Sequence, residues 1–96
     1  MLILVTYDVE TMTPEGQKRL RRVAKACLNY GQRVQNSVFE CNVDITQYTQ
    51  LKMVLSGIID DETDSIRLYN LGNTFASRVE TLGKNNAIDL NGTLMI

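Results

Sequence analysis

Asp8 closes the run Met1-Leu2-Ile3-Leu4-Val5-Thr6-Tyr7-Asp8 and is the first residue of the chain placed to do chemistry. A carboxylate at the mouth of a buried strand is costly to leave unpaired. It either accepts backbone hydrogen bonds as a turn or capping aspartate, or faces a shared cleft as a ligand. The strand alone leaves both open. The chain has no histidine, which excludes Ser-His-Asp and Cys-His catalysis and removes the commonest general base. Chemistry is confined to carboxylates, a metal ion, tyrosine or lysine. Cys27 and Cys41 have no C-x-x-C spacing and read as small core residues. Asp60-Asp61-Glu62-Thr63-Asp64 lacks the glycine and terminal glutamate of a calcium loop, so it reads as a solvated acidic turn.

Charge is segregated. The net charge is -1, yet between Pro14 and Arg33 six cations (Lys18, Arg19, Arg21, Arg22, Lys25 and Arg33) face one carboxylate, Glu15. From Glu40 to Asp64 six carboxylates face only Lys52. Such polarity allows a basic face suited to phosphates on a slightly acidic chain. The alternative is a solvated charged helix face, as most charge runs are.

The elements that must position these groups follow from local signals. Residues 1–5 are unbroken apolar sequence, which predicts a central strand buried on both faces. Thr13-Pro14-Glu15 supplies an N-cap, a first-position proline and a first-turn acid for a helix over 14–29. Leu20, Val23, Ala24, Cys27 and Leu28 form its expected buried stripe, and Gly31 its left-handed end. Residues 32–43 alternate but lose phase, predicting two strands with a turn or bulge near Gln35-Asn36, and Phe39 directed to the opposite face from the final valines. Asp44 and Gln47 make a capping box for a helix over 45–59, with Tyr48, Leu51, Leu55 and Ile58 inward. Residues 65–71 alternate as a strand. Residues 76–82 predict a further short strand, and the apolar patch at 87–90 a segment frayed or docked on another chain.

With 44% hydrophobic and 22% charged residues, 96 residues suit one globular domain with a single modest core. The order predicts an α+β, ferredoxin-like βαββαβ sandwich, an antiparallel sheet with two helices on one face and extra C-terminal strand sequence. The domain is expected over 1–82, with 83–96 a tail docking on a partner chain. The sheet's uncovered face calls for a second copy, a homodimer. The opening apolar run is too short to cross a bilayer and shows no signal-peptide pattern, so no membrane association and a cytoplasmic location are expected.

Three stretches together resemble one family. They are Val5-Thr6-Tyr7-Asp8-Val9, the basic helix from Arg19 to Lys25, and Tyr30-Gly31-Gln32-Arg33-Val34-Gln35-Asn36-Ser37-Val38-Phe39-Glu40, with support from Asp64-Ser65-Ile66-Arg67-Leu68-Tyr69. The chain resembles the small CRISPR-associated Cas2 proteins of the adaptation pair, and the resemblance extends over almost its whole length. It implies a ferredoxin-like homodimer whose terminal strand joins the partner's sheet, and which acts beside an integrase subunit in capturing foreign DNA as spacers. It also implies a magnesium-dependent (or manganese-dependent) endonuclease on DNA or RNA. Asp8 matches the metal-binding and catalytic aspartate, and Tyr7 beside it the second catalytic position. Arg19 and Arg33 match basic positions, joined in nucleic-acid binding by Lys18, Arg21, Arg22 and Lys25, while Ser37 and Phe39 match supporting positions. One Asp8 per chain is a poor magnesium site, but two related by a dimer axis supply a carboxylate pair. The expected function is spacer acquisition by a DNA-binding homodimer that bridges integrase subunits and carries an endonuclease site. The alternative is a free-standing metal-dependent RNA or double-stranded DNA endonuclease without a structural role.

Overall fold

The structure is a computed structural model and describes residues 1–74 and 77–83. Strand β1 (Leu2–Asp8) is the spine of the sheet, paired antiparallel on both sides. Its apolar run lets it occupy this central place, where no backbone group is left for water. Ile3, Val5 and Tyr7 point to the face that carries the helices and are buried there. Leu4 and Thr6 point the other way and are half-buried, while Asp8 is exposed. Leu2, on that second face, is fully buried, so burial on both faces, as the apolar run suggested, holds at the start of the strand and thins towards Asp8.

Helix α1 (Pro14–Leu28) begins where Thr13 Oγ1 accepts from the Gly16 amide at 3.0 Å, with Pro14 at the first turn. Val23, Ala26 and Cys27 are its buried apolar residues, and Leu20 and Ala24 are half-buried. Leu28, expected in the stripe, is 55% exposed: it lies about 100° around the helix from Cys27, which turns it off the core. Gly31 does not take the left-handed conformation expected of it, since Gly72 and Gly83 are the glycines with positive φ among the described residues. Its value is room, because a side chain there would collide with the Glu40 carbonyl and Cys41.

Strands β2 (Gln32–Gln35) and β3 (Val38–Asn42) form the hairpin foreseen around Gln35-Asn36, with a register shift between Arg33 and Gln35. Helix α2 (Ile45–Ile58) opens on the complete capping box: Asp44 Oδ1 accepts from the Gln47 amide at 2.7 Å, and Gln47 Oε1 accepts from the Asp44 amide at 3.0 Å. Leu51 and Leu55 are its buried residues, flanked by half-buried Tyr48 and Ile58. Strand β4 (Ser65–Asn70) completes a sheet of order β2-β3-β1-β4, antiparallel throughout. This is the ferredoxin-like α+β arrangement. Both helices bury their apolar sides on the β1 face that carries Ile3, Val5 and Tyr7, giving one core.

Two further expectations fail. Phe39 is not directed to the second face: it is fully buried with Cys41 and Val43, which share its parity. The strand expected over 76–82 is absent from residues 77–83, where Arg78 Nη1 donates back to the Leu71 carbonyl at 2.9 Å and Leu82 is 95% exposed. Ala76, the apolar patch at 87–90 and all of the expected docking tail beyond Gly83 lie outside the described residues.

Candidate functional site

Asp8 stands at the carboxyl end of β1, opposite Ser65 in the ladder, with its side chain exposed on the face that no described helix covers. Registered antiparallel partners share a face, so Asp8 shares its side with Thr6, Val38, Arg67 and Ser65. Leu4, Glu40 and Tyr69 continue that face along the sheet. Burial there raises the Glu40 carboxyl above its ordinary pKa.

Tyr7 is the next residue along, and strand alternation turns it to the other face. It is buried and stacks on Phe39, with ring centroids 6.1 Å apart at 24°, and its hydroxyl donates to the Asn36 carbonyl at 3.3 Å. Burial raises its pKa, opposed by Arg33. Tyr7 is therefore a protonated core residue, and the catalytic pairing of Tyr7 with Asp8 drawn from the sequence is not assembled within one chain. Phe39 is the other half of that stack, and Arg33 lies across its ring at 5.2 Å with its own surface exposed. Ser37 sits in the hairpin turn, where its carbonyl accepts from the Tyr7 amide at 3.2 Å. These two supporting positions act on β1 from behind.

The basic helix divides in two. Lys18, Arg21, Arg22 and Lys25 are exposed at spacing i, i+3, i+4 and i+7, one solvent-facing stripe, and none has an acidic partner among the described residues. Arg19 belongs elsewhere. Its Nε donates to Asp64 Oδ2 at 2.8 Å, and its Nη2 lies 3.6 Å from Glu10 Oε2.

Asp64 is the functional candidate that sequence reasoning missed. Placed in a turn read as solvated, its side chain is fully buried. It accepts from the Glu10 amide at 3.0 Å, the Asp60 amide at 2.9 Å, the Thr63 hydroxyl at 3.1 Å and the Arg19 guanidinium. Burial alone would raise its pKa, but the Arg19 hydrogen bond and then the Asp60 and Glu10 amides outweigh it, holding the carboxyl well below the usual range. Arg19 and Glu10 lie 45 and 54 residues away, and no local pattern announces them.

Two other candidates are settled by environment. Burial pushes the Cys27 thiol up to about 12 and the Cys41 thiol to about 11, so both stay protonated in the core and neither is a nucleophile. No group of three or more His, Cys, Asp or Glu side chains forms a metal site among the described residues. A hard oxygen donor such as Asp8 fits magnesium or manganese as one ligand of a shared site. The nearby Glu10 carboxylate is occupied by the Thr13 amide at 2.9 Å and the Thr13 hydroxyl at 3.0 Å. No described helix is long and apolar enough to cross a membrane.

The model of the family described as "CRISPR associated protein Cas2" matches residues 1–79. A "CRISPR-associated endonuclease Cas2" of Halalkalibacterium halodurans is 59% identical over 95 residues, 99% of each chain. A "CRISPR-associated endoribonuclease Cas2" of Chlorobaculum tepidum is 55% identical over 96 residues, the full length of both. Among solved structures, Streptococcus pyogenes Cas2 at pH 6.5 superposes with a TM-score of 0.76 at 61% identity, covering 86% of this chain and all of that one.

Proposed function

The chain belongs to the Cas2 family of CRISPR-associated proteins, and from that membership we propose that it is a nuclease of the CRISPR system whose phosphodiesterase site is built around Asp8. The observation that carries this reading is the place of Asp8: an exposed carboxylate on the helix-free sheet face of a chain that has no histidine. A homodimer formed across that face brings two Asp8 side chains together as ligands for magnesium or manganese. When bound, the ion supplies an activated water and neutralises phosphate charge. The chain's own residues do the rest. Asp8 holds its ligand position, and Lys18, Arg21, Arg22 and Lys25 bind the backbone of DNA or RNA without reading bases.

Asp8→Ala tests it. Metal-dependent cleavage is expected to fall by roughly a hundredfold or more while duplex binding persists. Cleavage at the wild-type rate by a pure, folded variant would place the activity elsewhere.

A second reading rests on the stripe of cations on α1, which no described acid neutralises. On this reading the dimer is a DNA-binding bridge between integrase subunits in spacer acquisition, and its nuclease activity is secondary. Charge reversal of Arg21 and Arg22 separates the two: a bridge loses spacer capture, whereas an enzyme acting alone loses substrate affinity in a purified assay.

A further inference from the structure

The backbone just beyond Asp8 is held by one side chain. Asp64 directly precedes Ser65, the residue that pairs with Asp8 in the ladder, and its Oδ1 accepts the Glu10 amide two residues beyond Asp8. Its Oδ2 meanwhile accepts the Asp60 amide and the Arg19 Nε. Arg19 comes from the second turn of α1, whose first turn presses so closely on the Glu10 backbone that a side chain at Gly16 would collide with the Glu10 carbonyl. Three elements thus converge on the three residues following Tyr7: the exit of β1, the start of α1 and the turn before β4. The carboxylate that joins them is fully buried.

We infer that the Arg19–Asp64 pair is a positioning latch that fixes the exit of β1 and so the direction of Asp8, and that Arg19 serves the site through Asp64 rather than by touching phosphate. This rests on the Asp8 reading above. A guanidinium that donates to a buried carboxylate at 2.8 Å, and leans on a second one, has its charge spent inside the chain. The exposed stripe of Lys18, Arg21, Arg22 and Lys25 has not.

The test compares Arg19→Gln, Arg19→Lys, Asp64→Asn and the Arg19→Gln/Asp64→Asn pair with the wild type, using the full chain well below its melting temperature. Three quantities are measured: hydrogen exchange at the Glu10 amide, the kcat and KM of metal-dependent cleavage, and the salt slope of duplex binding. The latch predicts roughly tenfold or faster exchange at Glu10 and a kcat lowered roughly ten- to a hundredfold, since a small displacement of a reacting group costs that much. KM and the salt slope stay at wild-type values. Arg19→Lys, which keeps the charge but not the fork, falls between. The double variant is no worse than the worse single one, because both break one contact. Leu55→Val, a loss of packing in α2, leaves exchange at Glu10 and kcat unchanged and so separates positioning from general destabilisation.

A salt slope shallower by about one phosphate in Arg19→Gln would make Arg19 a backbone ligand and overturn the inference. Unchanged exchange at Glu10 would overturn it equally. Should Asp64→Asn fail to fold, the two Arg19 variants decide the same question. Asp8→Ala is run alongside: if it cleaves normally the nuclease reading fails by itself, and exchange and salt slope still judge the latch.

Discussion

Asp64 shows how one residue can matter more than its neighbours of identical charge. Asp60, Asp61 and Glu62 are exposed, whereas Asp64 is ionised in the interior. Its folded pKa lies below the value it would have in the unfolded chain. The ionised form therefore contributes stability in full above about pH 4, and that stability is lost as pH falls through the folded value. Urea unfolding followed against pH is expected to show this loss in the wild type. Asp64→Asn should be less stable near neutrality by about 2 kcal/mol, with the two curves converging in acid. Parallel curves would mean the pair contributes nothing. The position of Asp8 at the end of the first strand was legible because it closes an apolar run, a signal contained in eight consecutive residues. Asp64 was not, because what sets a carboxylate in an acidic turn apart from its neighbours is its bonds to Arg19 and Glu10, distant in the chain. Phe39 was misplaced for a related reason. Val38 opens β3 on the helix-free face, and taking it as the phase marker reverses the residue that follows.

Elements were read more accurately than single side chains, because caps are local. Thr13 with Pro14, and Asp44 with Gln47, each place a helix start where the structure has it, and both helices end within one residue of expectation. What failed at this scale was the strand proposed over 76–82. Its described part offers the alternation of a strand, but Arg78 folds back on Leu71 and no described neighbour pairs with it. Alternation is necessary for a strand, yet a ladder partner decides whether one forms. Helix α1 carries its own prediction. Replacing Arg21 and Arg22 together with glutamine should weaken duplex binding and lower the slope of log affinity against log salt by about two, provided each contacts one phosphate. Equilibrium binding at several salt concentrations measures it. An unaltered slope would return these residues to the solvated face that most charge runs are.

At the scale of the molecule, the sheet is covered along its length on one side, and on the other only where Leu2 is buried. Ile3, Val5 and Phe39 are buried beneath the helices, while Leu4, Thr6, Val38 and the 42%-exposed Tyr69 remain on the other face. Leu4 lies at its centre, registered with Glu40 on one neighbouring strand and Tyr69 on the other. A second copy set across this face would cover these apolar groups and bring the two Asp8 side chains towards a common axis, so that one contact surface serves both stability and chemistry. Leu4→Arg separates the possibilities. It puts a long charged side chain beside Glu40 in the proposed interface but touches no helix, so the single chain should keep its secondary structure while sedimentation velocity shows dissociation. Metal-dependent cleavage should then fall with the dimer fraction and recover as protein concentration is raised. If the variant stays dimeric with wild-type affinity, the helix-free face is not where the copies meet. If it is monomeric and still cleaves at the full rate, one Asp8 suffices, and the paired carboxylate site gives way to one completed by water and substrate phosphate alone.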